Sequence, residues 1–222
     1  MTALTLADEL ALLAYDDAGV NRMSSPGFGY ALAGALLVEL ALAGRVVVED
    51  GRVRVVDRDR TGHVLVDDAL ARIADHERPR KPKDWVIGLA KGLPQRVLDG
   101  LVDAGILGRE QDKVLWVFTS TRYPSPRGVE AAAESEVRAR LDRAIRSSGP
   151  VEPRTAALLA LVRATKFARR TFPEVPRDQV RARLDEVGRA DWAAAAVKRA
   201  IEEMQTAIMV AVIVPATTAA GS

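Results

Sequence analysis

Cysteine is absent from the 222 residues, which excludes disulfides, thiolate catalysis and cysteine-ligated metal sites. Histidine is nearly absent. His63 and His76 lie thirteen residues apart, which fits no common metal-ligand spacing, so each is expected to be a solvent-facing or core-satisfied side chain. A run long enough to cross a bilayer is also missing: the most apolar stretch, Ala207 to Val214, stops at Pro215, short of the roughly 20 residues a membrane helix needs. The N-terminus, Met1-Thr2-Ala3-Leu4-Thr5-Leu6-Ala7-Asp8-Glu9, has acids where a secretory signal would carry a basic region, so a cytoplasmic location is the expectation. The formal charge is only +2 despite a pI near 9.1, and a nucleic-acid partner would need local rather than global basicity.

Recognisable catalytic motifs are lacking too. Gly27-Phe28-Gly29-Tyr30-Ala31-Leu32 supplies two glycines of a nucleotide-binding fingerprint but follows no predicted strand. The neighbouring acids Asp16-Asp17, Asp67-Asp68 and Glu202-Glu203 point apart on a helix or sit at its caps. Ser24-Ser25 has neither a base nor an orienting acid in view. The expectation is a non-enzymatic binding protein with no cofactor and no metal.

The residues that are present predict a mainly α fold: one globular domain with a buried helical cluster, amphipathic outer helices and two β-hairpins in winged-helix-like units. Thr5 caps a helix over about Leu6 to Tyr15, with Asp8 and Glu9 in its first turn. Residues 20–29 read as a loop. Tyr30 to Ala43 is apolar nearly all round, so it should be central, and Gly44 stops it. Asp50-Gly51 between Arg45–Glu49 and Arg52–Val56 is a strong hairpin signal. Sixty-one residues on, Leu98, Leu101, Ala104, Gly105, Glu110, Val114 and Val117 match Leu37, Leu40, Ala43, Gly44, Glu49, Val53 and Val56 without a gap, predicting a second helix-hairpin unit over 94–119. Between the units, 61–66 reads as extended, 67–75 as a helix and 77–84 as a Pro-interrupted basic linker. Helices follow over about 127–146, 155–168, 177–187 and 191–212, within the same domain.

Basic residues are the informative surface feature. Arg78-Pro79-Arg80-Lys81-Pro82-Lys83 beside Trp85 makes Arg80, Lys81 and Lys83 candidates for phosphate or headgroup contact, a solvated linker being the plainer reading. Lys91 and Arg96, near the start of the second unit's helix, extend the candidate surface. Val114-Leu115-Trp116-Val117-Phe118 reads as a strand with its aromatics on one face. Leu115, Trp116 and Phe118 are thus core residues or candidates for a membrane or oligomer contact.

Several segments in their order resemble the Golgi phosphoprotein 3 family: Leu4-Thr5-Leu6-Ala7-Asp8-Glu9-Leu10, Leu37-Val38-Glu39-Leu40-Ala41-Leu42-Ala43-Gly44-Arg45-Val46, Thr61-Gly62-His63-Val64-Leu65-Val66-Asp67-Asp68-Ala69-Leu70, Asp84-Trp85-Val86, Leu101-Val102-Asp103-Ala104-Gly105-Ile106-Leu107 and Arg154-Thr155-Ala156-Ala157-Leu158-Leu159-Ala160-Leu161. The resemblance implies a mainly helical, non-enzymatic protein that binds phosphatidylinositol 4-phosphate in a basic pocket on a membrane surface. It places the pocket's tryptophan near Ser24, its helix arginine near Ala33, and its later basic positions near Lys91 and Pro94, with Arg96 close by. Only Lys91 and Arg96 carry over. The Ala-, Arg- and Val-rich composition points to a GC-rich bacterial genome, where a Golgi adaptor role does not transfer. The leading expectation is a cytoplasmic protein, peripheral at the cytosolic membrane face, that binds anionic phospholipid headgroups and can form a homo-oligomer through its second hairpin. A protein-interaction scaffold and a winged-helix DNA-binding regulator are the alternatives. The latter is disfavoured because Tyr30 to Ala43 has no Arg, Lys, Asn or Gln to read bases.

Overall fold

A computed structural model describes residues 3–23, 27–114, 118–125 and 132–213. Among these are ten helices, six of which pack around α2 (Gly27–Leu42), thirteen of whose sixteen residues are buried. No polar stripe runs along this helix to face water, so it can only be satisfied by neighbours on every side. Those neighbours are α1 (Leu6–Ala14), α3 (Val64–Ala74), α4 (Pro82–Ala90), α5 (Leu93–Asp103), α7 (Pro153–Ala164) and α10 (Ala195–Ile213). Outside this layer, α6 (Ala132–Arg146) and α9 (Arg177–Arg189) pack on α7 and on each other, with the short α8 (Ala168–Thr171) between α7 and α9. No described helix is long and apolar enough to cross a membrane.

Thr5 caps α1 as its position in the sequence predicts. Its hydroxyl accepts from Asp8 N–H at 3.2 Å, and the Asp8 carboxylate accepts from Thr5 N–H at 2.9 Å, a reciprocal capping box.

Both helix-hairpin units form, and their kinship lies in the turn that ends each helix. In the first, Gly44 N–H donates to Ala41 and Arg45 N–H to Leu40; in the second, Gly105 N–H donates to Val102 and Ile106 N–H to Leu101. Gly44 and Gly105 have φ of 68° and 70°, which a residue without a side chain adopts freely. The correspondence then ends. β1 (Val46–Glu49) and β2 (Arg52–Val55) pair with Val46 opposite Val55, whereas β3 (Glu110–Val114) and β4 (Phe118–Arg122) pair with Glu110 opposite Arg122. The positions matching the first turn, Gln111 and Asp112, are strand residues in the second hairpin.

Several boundaries differ from the sequence reading. α2 starts at Gly27 rather than Tyr30, because Phe28 is buried edge-on to Tyr15 with centroids 5.8 Å apart, and packing outweighs the poor helix propensity of two glycines. α3 starts at Val64: Asp67 sits in its first turn, where its carboxylate accepts from Thr61 N–H and Oγ1, both at 2.7 Å. Pro82 opens α4 instead of interrupting a linker, since the first helical position needs no N–H. Val114 and Phe118 are cross-strand partners, so Val114 to Phe118 is not one strand; pairing continues instead through the polar Thr119 to Arg122. Leu115 and Trp116 lie outside the described residues, as does the first part of the helix expected from 127.

Candidate functional site

The ends of α1, α2 and α5 meet in one corner. α2 begins against the turn joining α4 to α5, so closely that a Cβ on Gly29 would lie 3.4 Å from the Ala90 carbonyl and 3.6 Å from Pro94. Gly92, at φ 71°, makes that turn, and exposed Lys91 directly follows Ala90. The first-turn N–H groups of a helix have no acceptor within it and carry its positive dipole end. Lys91 has no ion-pair partner among the described residues. At the start of α5, Gln95 Nε2 donates to the Tyr123 hydroxyl at 2.9 Å, and Tyr123 stands edge-on to Tyr15 with centroids 5.8 Å apart. Arg109 lies over the Tyr123 ring at 5.8 Å and pairs with Asp99. Burial, helped by Tyr123 and opposed by a hydrogen bond with Asn21, pushes the Tyr15 hydroxyl up to about 12. The corner therefore offers a helix start, one uncommitted cation and an aromatic wall. Gln95 stands out in the sequence only as a polar residue beside Arg96; Tyr15, Arg109 and Tyr123 were not singled out, and nothing in their local pattern marks them, because they converge from three separate segments.

Arg96 does not join Lys91. It pairs with half-exposed Asp68 on α3 and lines a different groove of about 700 Å³ with Asp8, His63, Asp99 and Asp103. The 78–83 run is elsewhere again, beside the first hairpin. Val53 N–H donates to Arg80 carbonyl at 2.9 Å, Arg52 donates to Pro79 carbonyl at 2.9 Å, and the Arg80 guanidinium stacks 5.5 Å over Trp85. Arg80 is thus held in place, while Lys81 is exposed at the start of α4 and Lys83 half-buried in its first turn. Ala33, where the resemblance places a pocket arginine, is fully buried, and Ser24 lies outside the described residues.

A second polar assembly is interior. Glu9, nearly buried, accepts from Arg140 at 2.7 Å and from Arg154 at 3.3 Å; Arg154 also donates to Glu39 at 2.7 Å, and Glu39 accepts from Leu6 N–H at 2.7 Å. Burial works against the Arg154 charge, but Glu9 and Glu39 outweigh it and raise its pKa. Next to it, His63 Nε2 lies 3.5 Å from the buried Asp8 carboxylate. Sequence reading missed this cluster, although carboxylates inside the apolar runs of α1 and α2 signal it, since buried charges require partners. Among the described residues, no group of three His, Asp or Glu is placed to hold a metal ion.

The His63–Asp8 pair makes stability depend on pH in a defined window. The hydrogen bond with Asp8 raises the His63 pKa above 6.5 against the opposing effect of burial. Burial pushes Asp8 up, but the His63 and Thr5 hydrogen bonds together carry it below 3.8. The His63 contribution is therefore full below pH 6.5 and is lost as pH rises through its folded value, while that of Asp8 is lost as pH falls through its own. The melting-temperature gap between the wild type and His63→Gln should be wide near about pH 5.5 and narrow by about pH 9; an equal gap at both would remove the ion pair as its cause.

Comparison with known proteins agrees with this architecture. A family model described as Golgi phosphoprotein 3 (GPP34) matches residues 6–204. No individual curated protein matches the chain.

Proposed function

We propose, from the premise that this chain belongs to the Golgi phosphoprotein 3 family, that it is a non-enzymatic peripheral protein that binds anionic phospholipid headgroups at the corner of α2 and α5. The observation that carries this reading is Lys91, exposed and without an ionic partner among the described residues, in the α4–α5 turn that abuts the start of α2. A helix start and a cation together suit a phosphate oxygen. Ala33 is buried without charge and Pro94 cannot donate, so the site is expected to accept anionic headgroups in general, with phosphatidylinositol 4-phosphate as one ligand and not a uniquely favoured one. Arg80, Lys81 and Lys83 would add charge along the first hairpin, and Phe118 at the start of β4, with Leu115 and Trp116, would supply a membrane or oligomer contact.

DNA binding fits less well. The buried α2 has no face to place in a groove, and α5 has Gln95 tied to Tyr123 and Arg96 to Asp68.

Co-sedimentation of the full chain with vesicles tests the proposal. Binding should increase from phosphatidylcholine alone to mixtures with phosphatidylserine, and fall with salt. A basic residue near an anionic surface contributes about 1 kcal/mol, so Lys91→Ala should weaken binding about fivefold. Equal failure on neutral and anionic vesicles at low salt would overturn it and favour a protein-interaction scaffold.

A further inference from the structure

Behind α7, on the side occupied by α8 and α9, lies a cleft of about 680 Å³. Its floor is apolar: Phe172, Val175, Val180 and Leu184 are all buried. Its rim is basic. Lys166 and Arg169 stand on the α7–α8 side, and Arg177 and Arg181, one turn apart on α9, stand on the other. Arg163 at one end is already engaged by Asp185 at 2.7 Å, but the other four cations have no hydrogen-bond or ion-pair partner among the described residues. Crowded like charges weaken a fold, so this arrangement is not explained by folding.

Lys166 adds an independent observation. It occupies the position just past α7, where Lys166 N–H donates to Arg163 and Phe167 N–H to Val162, both at 3.0 Å, and its φ is 57°. Glycine fills this position at no steric penalty, whereas a side chain is disfavoured there. A strained residue that lines a concave site is a sign of a role beyond folding.

We infer that this cleft binds one small anionic amphiphile, with a carboxylate or phosphate head among Lys166, Arg169, Arg177 and Arg181 and an acyl or aromatic body on the Phe172–Leu184 floor. The volume falls in the range of small-molecule sites, roughly 300–1,000 Å³. A bilayer surface would meet only the rim and leave the concave floor empty, and a nucleic acid would need cations spread along a stripe. The site shares no lining residue with the α2–α5 corner, and α9 packs only on α6 and α7 among the principal contacts.

Calorimetric titration of the full chain at low salt with decanoate, decyl phosphate and neutral decanol tests the inference. At least one of the anions should bind saturably, one per chain, and decanol at least about tenfold more weakly, the loss of a charged hydrogen-bonded head. Whichever anion binds more tightly identifies the head group. Lys166→Gly should leave the melting temperature unchanged or higher while weakening binding about fivefold, and Arg181→Gln should weaken it likewise. Lys91→Ala should leave it unchanged, which separates this site from vesicle binding. The inference is overturned by an absence of saturable heat with both anions, by equal affinity for decanol, or by wild-type affinity in the Lys166→Gly, Arg181→Gln double variant.

Discussion

Arg154→Leu should lower the unfolding free energy by about 3–5 kcal/mol, measured as a fall in the urea midpoint. Arg154 reaches from α7 to Glu9 on α1 and to Glu39 on α2. Without it, Glu39 loses its one ion-pair partner among the described residues and Glu9 retains only Arg140 there, with Glu9 buried and Glu39 only partly open to water. Removing one partner of a buried pair is far more damaging than replacing the whole group, because the remaining charge keeps its desolvation penalty. Adding Glu9→Gln and Glu39→Gln to Arg154→Leu should therefore recover much of the lost stability. An unchanged midpoint in the single variant, or a further loss in the triple variant, would sink this account.

Gly19→Ala should be nearly as damaging, at about 3 kcal/mol or more, from a left-handed backbone disfavoured for alanine and a steric clash. Gly19 has φ 72°, and a Cβ there would fall 2.3 Å from Pro124 N and 2.5 Å from the Tyr123 backbone. All are main-chain atoms, so no side chain can swing aside. The Gly19 carbonyl also accepts from Tyr123 N–H at 3.0 Å, joining the loop after α1 to the exit of the second hairpin. The variant should lower the melting temperature and expose Tyr123, read as increased quenching of tyrosine fluorescence. A melting temperature within a degree or so of wild type would contradict the contact.

The segments that carry the family resemblance acquire a physical explanation in the interior cluster. The segment from Leu4 to Leu10 brings Asp8 and Glu9, the one around Val38 brings Glu39, Thr61-Gly62-His63 brings His63, and the one from Arg154 brings its guanidinium. Each looks locally like an isolated charge beside apolar residues. Their meaning is collective: acids on α1 and α2 can be buried only because cations from α6, α7 and the loop before α3 meet them.

The candidate surface was less legible. Lys91 and Arg96 look like one basic feature in sequence, but Lys91 ends α4 before the turn at Gly92, whereas Arg96 lies within α5 and is taken up by Asp68. Arg80 looks like part of a solvated linker until its backbone joins β2 and its guanidinium covers Trp85. The cleft rimmed by Lys166 and Arg181 left no mark in the sequence beyond scattered arginines, since its two walls are brought together only by packing of α9 on α7.

The chain's own order of residues determined the mainly helical class, the buried character of α2, the capping of α1 and the first hairpin, because these follow from hydrophobic period, caps and turn residues within a few positions of one another. Tertiary structure alone decided which charges pair, which remain free and where helix ends converge. Those outcomes depend on side chains far apart along the chain, whose energies exist only once water has been excluded between them.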